Sequence, residues 1–130
     1  ISGIITGGSF LAGDNFVSPA KNSEKAFARY NKLLGNERLI EVLKLGKPFE
    51  AKLSPNCEYA AEIFTLEDGA KTYIAVLNYS ILPKVVNIEL PYKNSSVENL
   101  LTGKTQTKTR GKMTVTLEGR DSVIFEVTKK

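Results

Sequence analysis

YAAEIFTL, residues 59–66, and KTYIAVLNY, residues 71–79, are two runs rich in β-branched and aromatic side chains, joined by Glu67-Asp68-Gly69-Ala70. Asp-Gly between such runs is a hairpin signal, because glycine takes the positive φ that a tight turn matched to strand twist demands. Further runs follow toward the C-terminus: VVNIEL at 85–90, then 97–101, 105–109, MTVTL at 113–117 and SVIFEV at 122–127. Turn formers separate them: Pro83, Pro91, Asn94-Ser95-Ser96, Thr102-Gly103, Arg110-Gly111-Lys112 and Gly119-Arg120-Asp121. The runs flanking Arg110-Gly111-Lys112 read as a hairpin. In the last run Val123, Phe125 and Val127 alternate with Ile124, Glu126 and Thr128. Roughly six to eight short strands at this spacing predict a mainly β unit, an antiparallel, Greek-key-like β-sandwich over residues 47–130.

The chain before this unit has a different period. Residues 1–6 read as a strand and 7–17 as a loop holding Gly7, Gly8 and Gly13. Ser18-Pro19 or Asn22-Ser23 offers helix-start chemistry. Phe27, Tyr30, Leu33 and Leu34 then fall on one helical face, and Gly35 suits a left-handed stop. Asn36 can cap a second helix with apolar Leu39, Ile40, Val42, Leu43 and Leu45, ended by Gly46 and barred from resuming by Pro48. Residues 1–46 thus form a strand-loop-helix-helix unit. One such unit cannot make a parallel sheet with itself, so its strand partners are expected upstream. The chain opens on Ile1 and its only methionine is Met113, which fits the same expectation.

Composition narrows the chemistry. The 130 residues are 42% hydrophobic and 25% charged, suited to a packed soluble domain. There is no histidine, which removes Ser-His and Cys-His nucleophile pairs and every His-ligated metal site. The single cysteine, Cys57, excludes an internal disulfide and a multi-cysteine zinc site. No cofactor and no metal are expected. No apolar run approaches the ~18 residues that span a bilayer, and no signal-peptide pattern opens the chain, so no membrane partner is expected. The net charge is +4. Lys104, Lys108, Arg110 and Lys112 form a locally basic stretch without an aromatic to stack on a base. It reads as a solvated hairpin edge whose lysines oppose aggregation, and no nucleic-acid partner is expected.

Gly7-Gly8-Ser9-Phe10-Leu11-Ala12-Gly13-Asp14, then a helix pair, then Leu45-Gly46-Lys47-Pro48-Phe49, resembles the last βα unit of the (β/α)8 barrel in α-galactosidase-like glycoside hydrolases. In that family the chain passes from the barrel into a C-terminal antiparallel β-domain. YIAVLNYS at 73–80 is similar to the strand of such domains that ends in Asn-x-Ser. Leu100-Leu101-Thr102-Gly103-Lys104 is similar to their Leu-x-x-Gly step, and 115–127 to their closing pair of strands, joined by an Asp-containing turn. The resemblance implies a parent glycosidase with two carboxylates on mid-barrel strands, ~5 Å apart if the enzyme is retaining. Both would lie upstream of Ile1, so no catalytic residue is expected in this chain. The implied partners are the upstream catalytic barrel of the same polypeptide and, through it, a carbohydrate substrate. The implied setting of the parent is extracytoplasmic, periplasmic or secreted.

Asp14 is the substrate-proximal candidate. It follows a strand and a glycine loop, at the strand end where barrels place their chemistry, and could hydrogen-bond a sugar hydroxyl or orient a catalytic group. The same position suits a capping aspartate. The glycines before it lack the Lys-Ser/Thr of a phosphate loop. Glu58, Glu62, Glu67 and Asp68 fall at alternating or turn positions that exposed strand faces explain. Tyr59, Tyr73, Tyr79 and Tyr92 could stack on sugars, but with no tryptophan present, packing suits them better. Without a histidine base, Cys57 reads as an idle or buried thiol. Asn78-Tyr79-Ser80 and Asn94-Ser95-Ser96 fit the N-glycosylation pattern, a frequent chance match.

Overall fold

A computed structural model describes residues 35–52 and 62–130. Its elements are α1 (Glu37–Lys44), β1 (Glu50–Lys52), β2 (Ile63–Asp68), β3 (Lys71–Leu77), β4 (Lys84–Glu89), β5 (Ser95–Asn99), β6 (Thr105–Lys108), β7 (Lys112–Leu117) and β8 (Ser122–Lys129). The expected first strand, glycine loop and first helix lie outside the described residues.

The strands form two antiparallel sheets, one of six in the order β1-β2-β3-β8-β5-β6, and one of two, β4-β7. The pairings nest, β3 with β8, β4 with β7 and β5 with β6. The chain from β3 to β8 is therefore one long two-stranded ribbon. Its middle section, β4 and β7, leaves the large sheet to form the second layer, as in Greek-key and jelly-roll sandwiches.

The expected β2–β3 hairpin is present. Its turn is Gly69-Ala70, with Asp68 paired to Lys71 and Gly69 at φ +60, the first central position of a II′-type turn. Other expectations are corrected. β6 and β7 do not form a hairpin around Arg110-Gly111-Lys112, because β6 pairs with β5 and β7 with β4. That turn is a crossover between sheets. Gly111 at φ +68 receives Leu90 N–H on its carbonyl and donates its own N–H to Lys93 O. The closing strands β7 and β8 likewise lie in different sheets. Ser95 and Ser96 belong to β5 rather than to a connection, and Ser95 is fully buried, its hydroxyl donating to Tyr92 O at 3.1 Å.

Strand pleat sorts the apolar residues into two cores. Ile74 and Val76 of β3, Val97 of β5 and Val123, Phe125 and Val127 of β8 face the second sheet, where Val86, Ile88, Met113 and Leu117 meet them. The alternate residues, Tyr73, Ala75 and Leu77 of β3 and Ile124 of β8, form a separate cluster on the outer face with Leu39 and Val42 of α1. β3 and β8 are thus buried on both sides. Each fully buried Ile, Leu or Val contributes roughly 1.5–3 kcal/mol relative to an exposed one.

α1 forms as its sequence dictates. Asn36 caps it, its Oδ1 accepting from the N–H groups of Arg38 and Leu39. The same side chain donates from Nδ2 to Leu100 O at 2.7 Å, tying the helix start to the sheet. Gly46 follows the C-cap Leu45 at φ +61. Leu43 and Leu45 pack partly against the outer core, whereas Ile40 is half-buried and outside it. At 100° per residue Ile40 is turned away from Leu39 and Val42.

Candidate functional site

Beside α1, on the outer face of the large sheet, lies an ionic cluster. Glu98 of β5 and Glu126 of β8 are directly paired across the ladder. Like charges in that arrangement repel. Arg38 of α1 reconciles them: its Nη2 donates to Glu98 Oε2 at 3.1 Å and to Glu126 Oε2, while Nη1 donates to Glu41. Lys71 Nζ lies 3.6 Å from Glu126 Oε2. Glu126 is only 8% exposed, and these cations offset the cost of burying its carboxylate. Hydrogen bonding to Glu98 raises the Arg38 pKa, burial opposes the rise, and Glu126 adds to it. The Tyr73 hydroxyl is also pushed up, by burial first and then by the Glu126 carboxylate.

This cluster has carboxylates but not the arrangement of a glycosidase pair. Glu98 and Glu126 are both engaged by one guanidinium on a sheet face beneath a helix, rather than flanking a space for a sugar. Its chemistry is structural: it pins the start of α1 to β5 and β8. Sequence reading missed it. The signal available was Glu126 itself, a charge in the middle of an apolar closing strand.

A cleft of about 500 Å³ opens where the second sheet stops short of covering the first. Ile63, Thr65, Thr72 and Ile74 line it from β2 and β3, and the β4 segment from Asn87 to Glu89 forms the opposite wall. Glu67 and Glu89 also line it, both exposed. Glu62 and Asp68, also read from sequence, are occupied in ion pairs, Glu62 with Lys84 and Asp68 with Lys47.

The tyrosines are dispersed. Tyr73 is buried under α1, Tyr79 is 54% exposed in the β3–β4 connection, and Tyr92 is half-buried at the opposite end of the sheets. They make no shared platform among the described residues. Asn78, read from sequence both as part of the Asn-x-Ser step that ends its strand and as a chance glycosylation match, is buried and acts as a clamp. Its Nδ2 donates to Leu82 O at 2.8 Å and Glu118 O at 2.9 Å, and its Oδ1 accepts from Ser80 N–H. Gly119 completes this junction, since a Cβ there would stand 2.1 Å from Ile81 O. Asp14, Cys57, Glu58, Tyr59 and the glycines Gly7, Gly8 and Gly13 lie outside the described residues.

Neither a family model nor a curated protein sequence matches the chain. Solved structures do. α-Galactosidase I from Mortierella vinacea superposes with a TM-score of 0.72 at 10% identity, over 98% of this chain and 34% of that one. A Bacteroides fragilis protein provisionally named α-galactosidase/melibiase gives 0.72 at 18% identity, over 98% and 26%. A GH27 β-L-arabinopyranosidase from Geobacillus stearothermophilus gives 0.59 at 17% identity, over 76% and 23%. The chain therefore spans between about a quarter and a third of the length of these proteins. At such identities the likeness defines the fold: a β-sandwich segment of the kind found in glycoside hydrolases. More particularly, it is the fold found in α-galactosidase-like structures, as the sequence resemblance implied.

Proposed function

We propose that this chain is a non-catalytic segment of an α-galactosidase-like glycoside hydrolase, whose sandwich stabilises the catalytic barrel of the same polypeptide and borders its pocket. The observation that carries this reading is the double burial of β3 and β8. A self-sufficient sandwich buries one face of each sheet and leaves the other polar. Here Tyr73, Ala75, Leu77, Leu100 and Ile124 make the outer face apolar as well, with α1 laid across it. A sheet built this way suits integration with a helical layer, such as the outer ring of a (β/α)8 barrel. Two further observations support it. The likeness to the two proteins named as α-galactosidases runs over 98% of the chain. Tyr79, Ile81, Leu82 and Val85, all more than half exposed, make an apolar patch of the sort covered in larger assemblies.

In this reading Asp14 belongs to the barrel end that faces the sugar, and the reaction's two carboxylates lie upstream. Hydrolysis of an aryl α-galactoside by the full-length parent, with no turnover by this chain alone, is the expected result. Turnover by the isolated chain at a rate comparable to the parent would end the proposal.

A further inference from the structure

The sandwich is electrically polarised along its strands. At the end where β3 begins and β8 finishes, three stretches distant in sequence converge: the β4–β5 connection, the β6–β7 crossover and the C-terminus. Gly111 N–H donates to Lys93 O and Lys130 N–H to Asn94 O, which locks the three together. They bring Lys93, Lys108, Arg110, Lys112, Lys129 and Lys130 to one end, all exposed except half-buried Lys108. The register sets Lys108 of β6, Ser95 of β5 and Lys129 of β8 in one row. The Cα atoms of the two lysines are therefore about two strand spacings, ~10 Å, apart. Glu89 lies across the ladder from Lys112, but among the described residues none of the six forms an ion pair. With these six set aside, the chain's 18 basic residues fall to 12 against 14 acidic ones, so the remainder is net negative. Glu67 and Asp68 at the end of β2 and Glu89 at the end of β4 share this end, but the six cations outnumber them.

We propose that this end is a docking surface for an acidic polysaccharide, a glycan carrying carboxylate or sulfate groups along its length. This rests on the reading of the chain as part of a glycoside hydrolase, which makes a glycan the relevant polymer. A ridge of cations fixed by strands and backbone hydrogen bonds attracts a repeating anion by counterion release and by its long-range field. Other polyanions suit it less. Single-stranded nucleic acid is bound through aromatics that stack on bases, and the aromatic described here, Tyr92, is half-buried. Anionic membranes are held by apolar side chains together with charge. The large exposed ones, Tyr79, Ile81, Leu82 and Val85, sit at the other end, beyond Leu77.

Affinity electrophoresis of the chain in gels containing polygalacturonate, with neutral galactomannan as the reference polymer, tests the proposal. Retardation is expected in polygalacturonate only. It should weaken on the order of tenfold or more, with the slope of log affinity against log salt roughly halved, when Lys93, Arg110 and Lys112 are changed to Ala together. A charge-matched variant with Lys44, Lys52 and Lys104 changed to Ala should show the same relative retardation as the original chain, each protein being referred to its own mobility in a polymer-free gel. Circular dichroism melts verify that both variants fold. Absence of retardation at low salt, equal losses in the two variants, or equal affinity for duplex DNA or phosphatidylserine vesicles would each overturn the assignment. These outcomes are separable from the glycosidase reading, which is decided by α-galactoside hydrolysis in the full-length parent.

Discussion

The two faces of the six-stranded sheet are held by different means. Among the described residues the inner face is closed by strands: Ile74, Val76, Phe125 and Val127 meet Val86, Ile88 and Met113 in a mainly apolar layer. The outer face, among the described residues, is covered by one short helix, and beside its apolar contacts it carries a guanidinium bridging two carboxylates. The inner face is thus fixed by the topology of the nested ribbon. Among the described residues the outer face is covered by one element, eight residues long, that could not persist without packing.

The sharpest test of that difference removes one large side chain from each face. Phe125→Ala, on the inner face, is expected to cost about 3–5 kcal/mol and to lower the cooperativity of unfolding for both sheets. Leu39→Ala, under α1, is expected to cost about 2–4 kcal/mol and to release protection of the helix in hydrogen exchange before that of β3 and β8. If the two variants lost β-strand protection alike, the faces would not be energetically distinct.

A smaller effect is expected at the ionic cluster. Arg38→Ala leaves Glu98 and Glu126 opposed on neighbouring strands, with Glu126 buried. A loss of about 2 kcal/mol follows, reduced from the fully buried case because the Arg38 side chain is 31% exposed. Glu126→Gln in that background should recover part of the loss in urea denaturation. A failure to recover it would mean that Arg38 acts through packing.

The smallest effect is confined to alkaline solution. Burial and Glu126 hold the Tyr73 phenol above its ordinary value of 10.0 in the folded protein. Above about pH 10 the unfolded chain therefore releases that proton first and binds fewer protons than the native state, so stability falls as pH rises. Tyr73→Phe should flatten this decline and leave the curve near pH 7 almost unchanged. Equal alkaline slopes for the two proteins, measured by melting at pH 9 to 11, would remove Tyr73 from the account.

Much of this was legible in the amino-acid order because it is local. Asn36 and Gly46 bracket α1, Gly69 turns the first hairpin, and alternation in 122–127 marks β8. Hydrogen-bonding groups, positive φ and the two-residue period act over a few residues, and sequence displays them directly. Which strand pairs with which was decided by tertiary structure. Arg110-Gly111-Lys112 has the composition of a hairpin turn, yet the chain there crosses between sheets: β7 pairs with β4, where Met113 and Leu117 enter the inner core, while polar β6 pairs with β5 at the edge of the large sheet. The same long-range pairing joined Glu98 to Glu126 and gathered lysines from 93 to 130 at one end. No local pattern encodes such meetings, since burial and charge act through space between residues that the fold alone makes neighbours.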